Sequence, residues 1–211
     1  MAEPAGGRRV GLRLARLPFA APERAAELLE AAPLQWWNGA TNAPADDTAA
    51  TLIETVARMA DPDGALAALA QILESPEGVP LAAALRSDDR LAERLLGVLG
   101  VSATLAEHLV EHPGDWRVLA GAGRCESDGG GRAVAQVAAR LAAAVKADPA
   151  DPVTGTAGTR AGLVGAAAVA ALRAAYRREL IAVAGRDLAG ELPLREVTAQ
   201  LAELAGHTLQ A

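Results

Sequence analysis

Residues 60–74 read ADPDGALAALAQILE. Asp61 followed by Pro62 is helix-opening chemistry: a side-chain oxygen at the cap, then a proline whose missing N–H costs nothing in the first turn. Leu66, Leu69 and Leu73 then recur at helical spacing, as one apolar stripe among alanines. A strand would call for β-branched or aromatic residues in these positions, whereas Ala and Leu favour helix.

The same vocabulary runs through the rest of the chain. Its 211 residues are 51% hydrophobic, with only three Trp, one Tyr and one Phe. A core must therefore be built from Leu, Val, Ile and Ala on closely approaching helices, which predicts an all-α fold, a multi-helix bundle or array. The length suits one ample domain or two small ones.

Working outward, Pro22 opens a helix through PERAAELLEAA (22–32), and Pro33 closes it. LQWWNGATNAPADD (34–47) reads as a loop whose Trp36 and Trp37 cover the edge of the core, with a partner anchor as the alternative. Asp47 or Thr48 caps a helix that runs to Ala60 and forms a hairpin with the 61–74 helix. Pro76, Gly78 and Pro80 interrupt the pattern before Ser87 caps a helix carrying Leu91, Leu95 and Leu99. Ser102 or Thr104 caps the next, where Thr104 and Glu107 have capping-box spacing and Leu105, Leu109 and His112 share a face. Pro113 stops it, and Asp115 caps a short turn holding Trp116 and Leu119.

CESDGGG (125–131) is a flexible connector that places Cys125 in a loop, and Val134, Val137, Leu141 and Val145 mark the helix after it. The segment 147–159, ADPADPVTGTAGT, is the expected boundary. A long helix from Leu163 to Asp187 follows, then a last one with Leu194, Val197, Leu201, Leu204 and Thr208 in a 3-4 spacing. That stripe runs out at Ala211 with no stop signal, so the chain reads as cut in mid-architecture. The expected division is a helical subdomain at 1–124, a helix-containing connector at 125–160 and a long helical hairpin at 161–211.

Net charge is −6 with no dense basic run, which argues against a nucleic-acid surface. Lys146 is the one lysine; the arginine excess, beside abundant Ala, Gly and Pro, reads as the coding bias of a GC-rich genome. The apolar run Ala161–Leu172 falls short of the roughly 20 residues a bilayer span needs, and Pro18, Pro22 and Glu23 interrupt any signal-like stretch. A lone cysteine excludes an internal disulfide, and the expected location is cytoplasmic.

Three stretches invite a chemical reading. His108, Glu111 and His112 spell H-x-x-E-H, the inverted zinc-peptidase signature, but no third ligand is tied to them and His112 falls in line with Leu105 and Leu109. A structural helix end is the better reading, with no metal. Asp61-Pro62-Asp63 resembles a magnesium-binding D-x-D, yet its setting is helix capping rather than a strand. LRAAYRRELIAVAGRDL (172–188) gathers Arg173, Arg177, Arg178 and Arg186 with Glu179 and Asp187. It is either a solvated face with intrahelical Arg–Glu pairs or a cationic wall for an acidic or nucleotide-bearing partner. No nucleophile, base or metal cluster accompanies it.

The stretches LPFAAPERAAELL, ADPDGALAALAQILE, LLGVLGVSATLAEHLVEHPGDWRVLAG, LRAAYRRELIAVAGRDLAG and EVTAQLAELAGHTLQ, in that order, resemble the bifunctional glutamine synthetase adenylyltransferase/adenylyl-removing enzymes of GC-rich bacteria. The most specific are the helix end with His108, His112, Pro113 and Trp116, and the run of Tyr176, Arg177, Arg178, Glu179, Leu180, Arg186, Asp187 and Leu188. The resemblance implies the N-terminal helical portion of such an enzyme, leading into a nucleotidyltransferase-fold core absent from this chain. In the family a Gly/Ser loop and paired aspartates hold Mg2+ and nucleotide. One core removes AMP from a tyrosine of glutamine synthetase by phosphorolysis, and a second attaches it using ATP.

No position in 1–211 matches those aspartates, so no catalytic residue is carried over and the chain alone is expected to be inactive. Arg173, Arg177, Arg178 and Asp187 are the residues expected to face the core or the adenylylated substrate. Glutamine synthetase is the implied partner, with a PII-type nitrogen-signalling protein as a further candidate; neither nucleic acid nor membrane is expected. A free-standing helical module that binds these proteins without chemistry is the rival reading.

Overall fold

Helix after helix in this chain opens on a side-chain cap or a proline. The computed structural model describes residues 14–121, 130–147 and 160–211. After a 3-10 turn at Leu14–Arg16 come α1 (Pro22–Glu30), an antiparallel two-residue pair β1 (Trp37–Asn38) and β2 (Ala43–Pro44), then α2 (Asp47–Ala57), α3 (Pro62–Leu73) and α4 (Gly78–Ser87). They are followed by α5 (Asp89–Val101), α6 (Ala103–Glu111), a 3-10 turn at Pro113–Trp116, α7 (Arg117–Gly121), α8 (Gly130–Ala144), α9 (Gly165–Leu188) and α10 (Leu194–Gln210). The all-α array is thus observed. Val134 and Cys125 lie outside the described side chains.

Asp61 does what its place before Pro62 predicts, accepting the Gly64 N–H at 2.9 Å. Elsewhere the cap shifts by a residue. Asp46, rather than Asp47 or Thr48, accepts the Ala49 N–H at 2.8 Å. Asp88, rather than Ser87, accepts from Leu91 at 3.0 Å, because the Ser87 hydroxyl turns back to the Ala83 and Ala84 carbonyls. In each case a carboxylate one residue away outcompetes the expected group. Pro80, expected to break the pattern, lies inside the first turn of α4, where its missing N–H has no helical partner to lose.

Around α5 the array closes. Leu91, Leu95, Leu96 and Val98 are buried, and the helix packs on α2, α3, α4, α6, α7 and α9. Trp36 and Trp37, expected at the edge of the core, are inside it, with Trp36 only 1% exposed. The extended backbone there is pinned by Trp36 N–H to Leu29 O at 2.8 Å and Ala45 N–H to Trp36 O at 2.8 Å. A second set of buried side chains, Leu141, Val145, Leu192, Val197 and Leu204, lies outside the main cluster, where α8, α9 and α10 pack on one another. The expected single stripe on α10 therefore divides: Val197 and Leu204 are buried, while Leu194 is 76% exposed and Leu201 faces solvent.

The seam between α5 and α9 is close. A Cβ on Gly185 would sit 2.4 Å from Leu119 Cδ2 of α7 and 3.3 Å from Arg94 Cβ of α5, so a side chain there would push the buried Leu119 aside and crowd the seam. Beside it the Arg94 side chain of α5 is 7% exposed. Its Nε donates to Glu191 Oε1 at 2.8 Å, Nη2 to Oε2 at 2.7 Å and Nη1 to the Leu119 carbonyl at 2.6 Å. The pair is bidentate and desolvated, the geometry in which a guanidinium and a carboxylate match best.

Truncating Arg94→Ala takes the bidentate partner from the Glu191 carboxylate, leaving it the Arg186 guanidinium at 3.8 Å, and is expected to cost about 3 kcal/mol in urea unfolding, whereas Arg94→Met with Glu191→Leu should recover part of it. Equal losses for the two variants would mean that packing rather than charge holds the seam. A second expectation concerns Asp46, whose carboxyl is held below its ordinary value by the Ala49 N–H first and by the Arg86 guanidinium next. With the folded value below the unfolded one, its contribution is complete above the unfolded value, about pH 4, and is lost as pH falls through the folded value. Asp46→Asn keeps a capping oxygen but does not titrate, so the fall of its urea midpoint on acidification should be shallower than in the parent chain.

Candidate functional site

The cationic run on α9 is the sequence's main candidate, and α9 packs on α5, α6, α7, α8 and α10. Its residues advance about 100° each around the axis. Arg173 and Arg177 consequently lie about 40° apart on one face, one turn from each other. Arg173 is exposed and Arg177 half-buried, and neither has a carboxylate partner among the described residues. Upstream, Ala166, Val169 and Ala170 continue the same face and are exposed; downstream, Leu180 and Ala184 continue it and pack on the main core. One face of α9 is thus covered over its second half and open over its first.

Arg178 is turned about 100° from Arg177. Its Nε lies 3.3 Å from Asp115 Oδ1. Asp115 Oδ2 is 2.9 Å from Nε2 of His108, a ring that is 1% exposed. Asp187 stands about 15 Å beyond Arg177 along the helix, near its end, and is exposed. The four residues are therefore not gathered into one cluster: two arginines share the open face, Arg178 is tied to Asp115, and Asp187 stands apart.

The H-x-x-E-H stretch folds differently from its periodicity. His108, not His112, is the buried histidine, because α6 ends at Glu111 and His112 leaves the helical backbone at φ −126° and ψ 64°. Their rings stack with centroids 4.5 Å apart, and Glu111 faces solvent. Asp115, expected only to cap the turn, spends its carboxylate on His108 and Arg178. Trp116 is buried beneath Arg117, whose guanidinium carbon is 4.9 Å from the ring centroid. Among the described residues no three His, Cys, Asp or Glu side chains gather as a metal would require.

Asp61 and Asp63 likewise do not fit a magnesium–nucleotide site. Asp61 caps α3, and Asp63 accepts the Ala20 N–H at 2.7 Å and the Ala21 N–H at 3.2 Å. Both carboxylates hold backbone, so no step of nucleotide chemistry passes through them.

Intrahelical Arg–Glu pairing on α9 does not occur at Glu179. That carboxylate, 10% exposed at its side chain, takes Arg140 Nε at 2.5 Å and Nη2 at 2.7 Å from α8. Sequence reasoning missed Arg140, Arg94 and Glu191 as organising residues, since their partners lie 39 and 97 positions away and no local spacing announces them.

What the fold and the charge layout define is an all-α helical array built around α5, with one long helix on which Arg173 and Arg177 have no carboxylate partner among the described residues. Comparison with known proteins narrows this. Over 203 residues, 94% of the chain, it is 36% identical to the bifunctional glutamine synthetase adenylyltransferase/adenylyl-removing enzyme of Streptomyces avermitilis, and the same figures hold for that of Streptomyces coelicolor. With the corresponding enzyme of Mycobacterium marinum it shares 33% over 174 residues, 79% of the chain. The chain spans 17% of the length of each Streptomyces relative, so it corresponds to a segment of such an enzyme. No family model and no solved structure matches it.

Asp115→Ala would leave the buried His108 ring without its partner and free Arg178. We expect a loss of about 1–3 kcal/mol in unfolding free energy. Arg178→Ala, at a half-exposed pair, should cost under about 1 kcal/mol. The reverse order would show that the arginine, not the histidine, is what Asp115 serves.

Proposed function

We propose that this chain is the N-terminal helical portion of an enzyme that adenylylates and deadenylylates glutamine synthetase, and that it serves as a scaffold packed beside a nucleotidyltransferase core not contained in residues 1–211. The observation that carries this reading is the 36% identity across 94% of the chain to enzymes so named. ATP and Mg2+ belong, on this reading, to the core, and the chain alone is inactive. The division into 1–124, 125–160 and 161–211 goes with the proposal, as does a cytoplasmic location, and a PII-type signalling protein is the further partner it suggests.

Arg173, Arg177, Arg178 and Asp187 are proposed to face the core or the adenylylated substrate. Support comes from the open face of α9, where two guanidinium groups one turn apart repel unless an anionic group meets them. Carboxylate or phosphate is the chemistry that a pair of arginines recognises best. The rival reading, a non-catalytic module that binds glutamine synthetase, draws on the absence of a clustered carboxylate site among the described residues. It predicts capture of glutamine synthetase without turnover.

The test uses a complete enzyme carrying Arg173→Ala with Arg177→Ala, and separately Arg178→Ala. About tenfold loss in deadenylylation kcat/KM for the double variant is expected from two charge-assisted contacts. Unchanged rate and unchanged affinity for adenylylated glutamine synthetase in both variants would remove α9 from the working surface.

A further inference from the structure

Arg58 stands just past the end of α2 with its guanidinium held in place: Nη2 donates to Thr55 Oγ1 at 3.1 Å, and that hydroxyl, on a residue 4% exposed, donates to the Thr51 carbonyl at 2.8 Å. It has no carboxylate partner among the described residues. The arginine is not needed to cap α2, because the Thr55 and Val56 carbonyls already receive the backbone N–H groups of Arg58 and Met59. Four of its five N–H donors have no partner among the described residues.

Arg58 lines an open pocket of about 430 Å³ between the end of α2, one side of α5 and the end of α9. Arg90 lines the same pocket, and its one carboxylate partner among the described residues is Glu93, at 3.5 Å with both side chains largely exposed. Such a pair is weak and readily exchanged for a better-placed anion. Thr55 and Glu93 also line the pocket, so an entering anion must draw Arg90 away from the Glu93 carboxylate; Met59, Ala60, Val101, Leu188 and Ala189 supply apolar wall, and at Gly97 a Cβ would come within 3.2 Å of Leu188 Cβ. The carbonyls at the end of α9 are also occupied, by the N–H groups of Ala189, Gly190 and Glu191, so they present little negative charge to the pocket.

We infer that this pocket is a binding site for an organic anion, a carboxylate or phosphate monoester on a flat or apolar body, with Arg58 and Arg90 gripping the anionic group and Met59 and Leu188 covering the body. A prepositioned guanidinium that shares a pocket with a second, loosely paired one suits a planar oxyanion, and the apolar part of the wall suits an organic body over a bare inorganic ion. The site is argued from this chain alone and does not rest on the adenylyltransferase reading.

Three probes separate the possibilities: phenyl phosphate, benzoate, and inorganic phosphate, each titrated into the 15N-labelled 211-residue chain against a sodium chloride control. Saturable amide shifts at Thr55, Arg58, Gly97, Leu188 and Ala189 are expected for phenyl phosphate, benzoate or both, with inorganic phosphate weaker than whichever binds. Preference between the two aromatic probes tells phosphate from carboxylate. Arg58→Ala and Arg90→Ala, both at exposed side chains, should each keep the parent spectrum elsewhere and lose about tenfold in affinity. Saturation by neither probe would overturn the site. So would shifts that follow every exposed arginine, or Arg58→Ala binding as tightly as the parent.

Discussion

A guanidinium buried in the middle of α5 sets the terms for half of this structure. Arg94 cannot stay inside the array as a charge without counter-charge and acceptors, and those come from elsewhere: Glu191 from the turn after α9 and a carbonyl from α7. Meeting that need fixes where α9 ends. Gly185 brings the two helices close enough for the reach to succeed, and the Arg186 guanidinium lies 3.8 Å from the same Glu191 carboxylate. Once the end of α9 is fixed, the turn into α10 and the exposure of the first half of α9 follow from helical geometry.

Charge holds α9 at two further places. Arg140 of α8 grips Glu179, and Arg178 meets Asp115, which also takes His108. An apolar seam of alanines and leucines is slippery, since neighbouring registers bury similar area. Directional pairs at two levels, one at the adjacent Arg178 and Glu179 and one just past the helix at Glu191, select one register, as buried polar groups do elsewhere when they specify more than they stabilise. In a chain with so few large aromatics, that specificity cannot come from interlocking rings.

Much of the architecture was legible from local pattern. Leu66, Leu69 and Leu73 share a buried stripe as spaced, and α1, α3, α5 and α6 begin within a residue or two of their proline and cap signals, whereas α2 ends three residues early and α4 forms where a break was expected. What local pattern misjudged was competition between neighbours. Asp46 and Asp88 displaced the expected caps because two adjacent groups looked equally able, and His108 replaced His112 inside because a helix that ends one residue sooner changes which ring points inward. The candidate site was legible as composition and not as geometry: four charged residues in one helix gave no hint that Arg178 turns to Asp115 while Arg173 and Arg177 stay open. Pairs 39 and 97 positions apart have no periodicity to betray them.

α9 belongs to two apolar clusters at once, the large one around α5 and the smaller one it shares with α8 and α10. Among the described residues the smaller cluster has few buried side chains, the mark of a unit that opens at lower free energy than the whole. α8 and α10 can accordingly part from α9 and return while α1–α7 stay folded. The amides of α10 would then exchange with solvent well ahead of those of α5, and the second half of α9 would keep time with α5 rather than with its own first half. A single continuous helix thus spans a boundary of cooperativity, and that boundary falls inside the helix rather than in a loop.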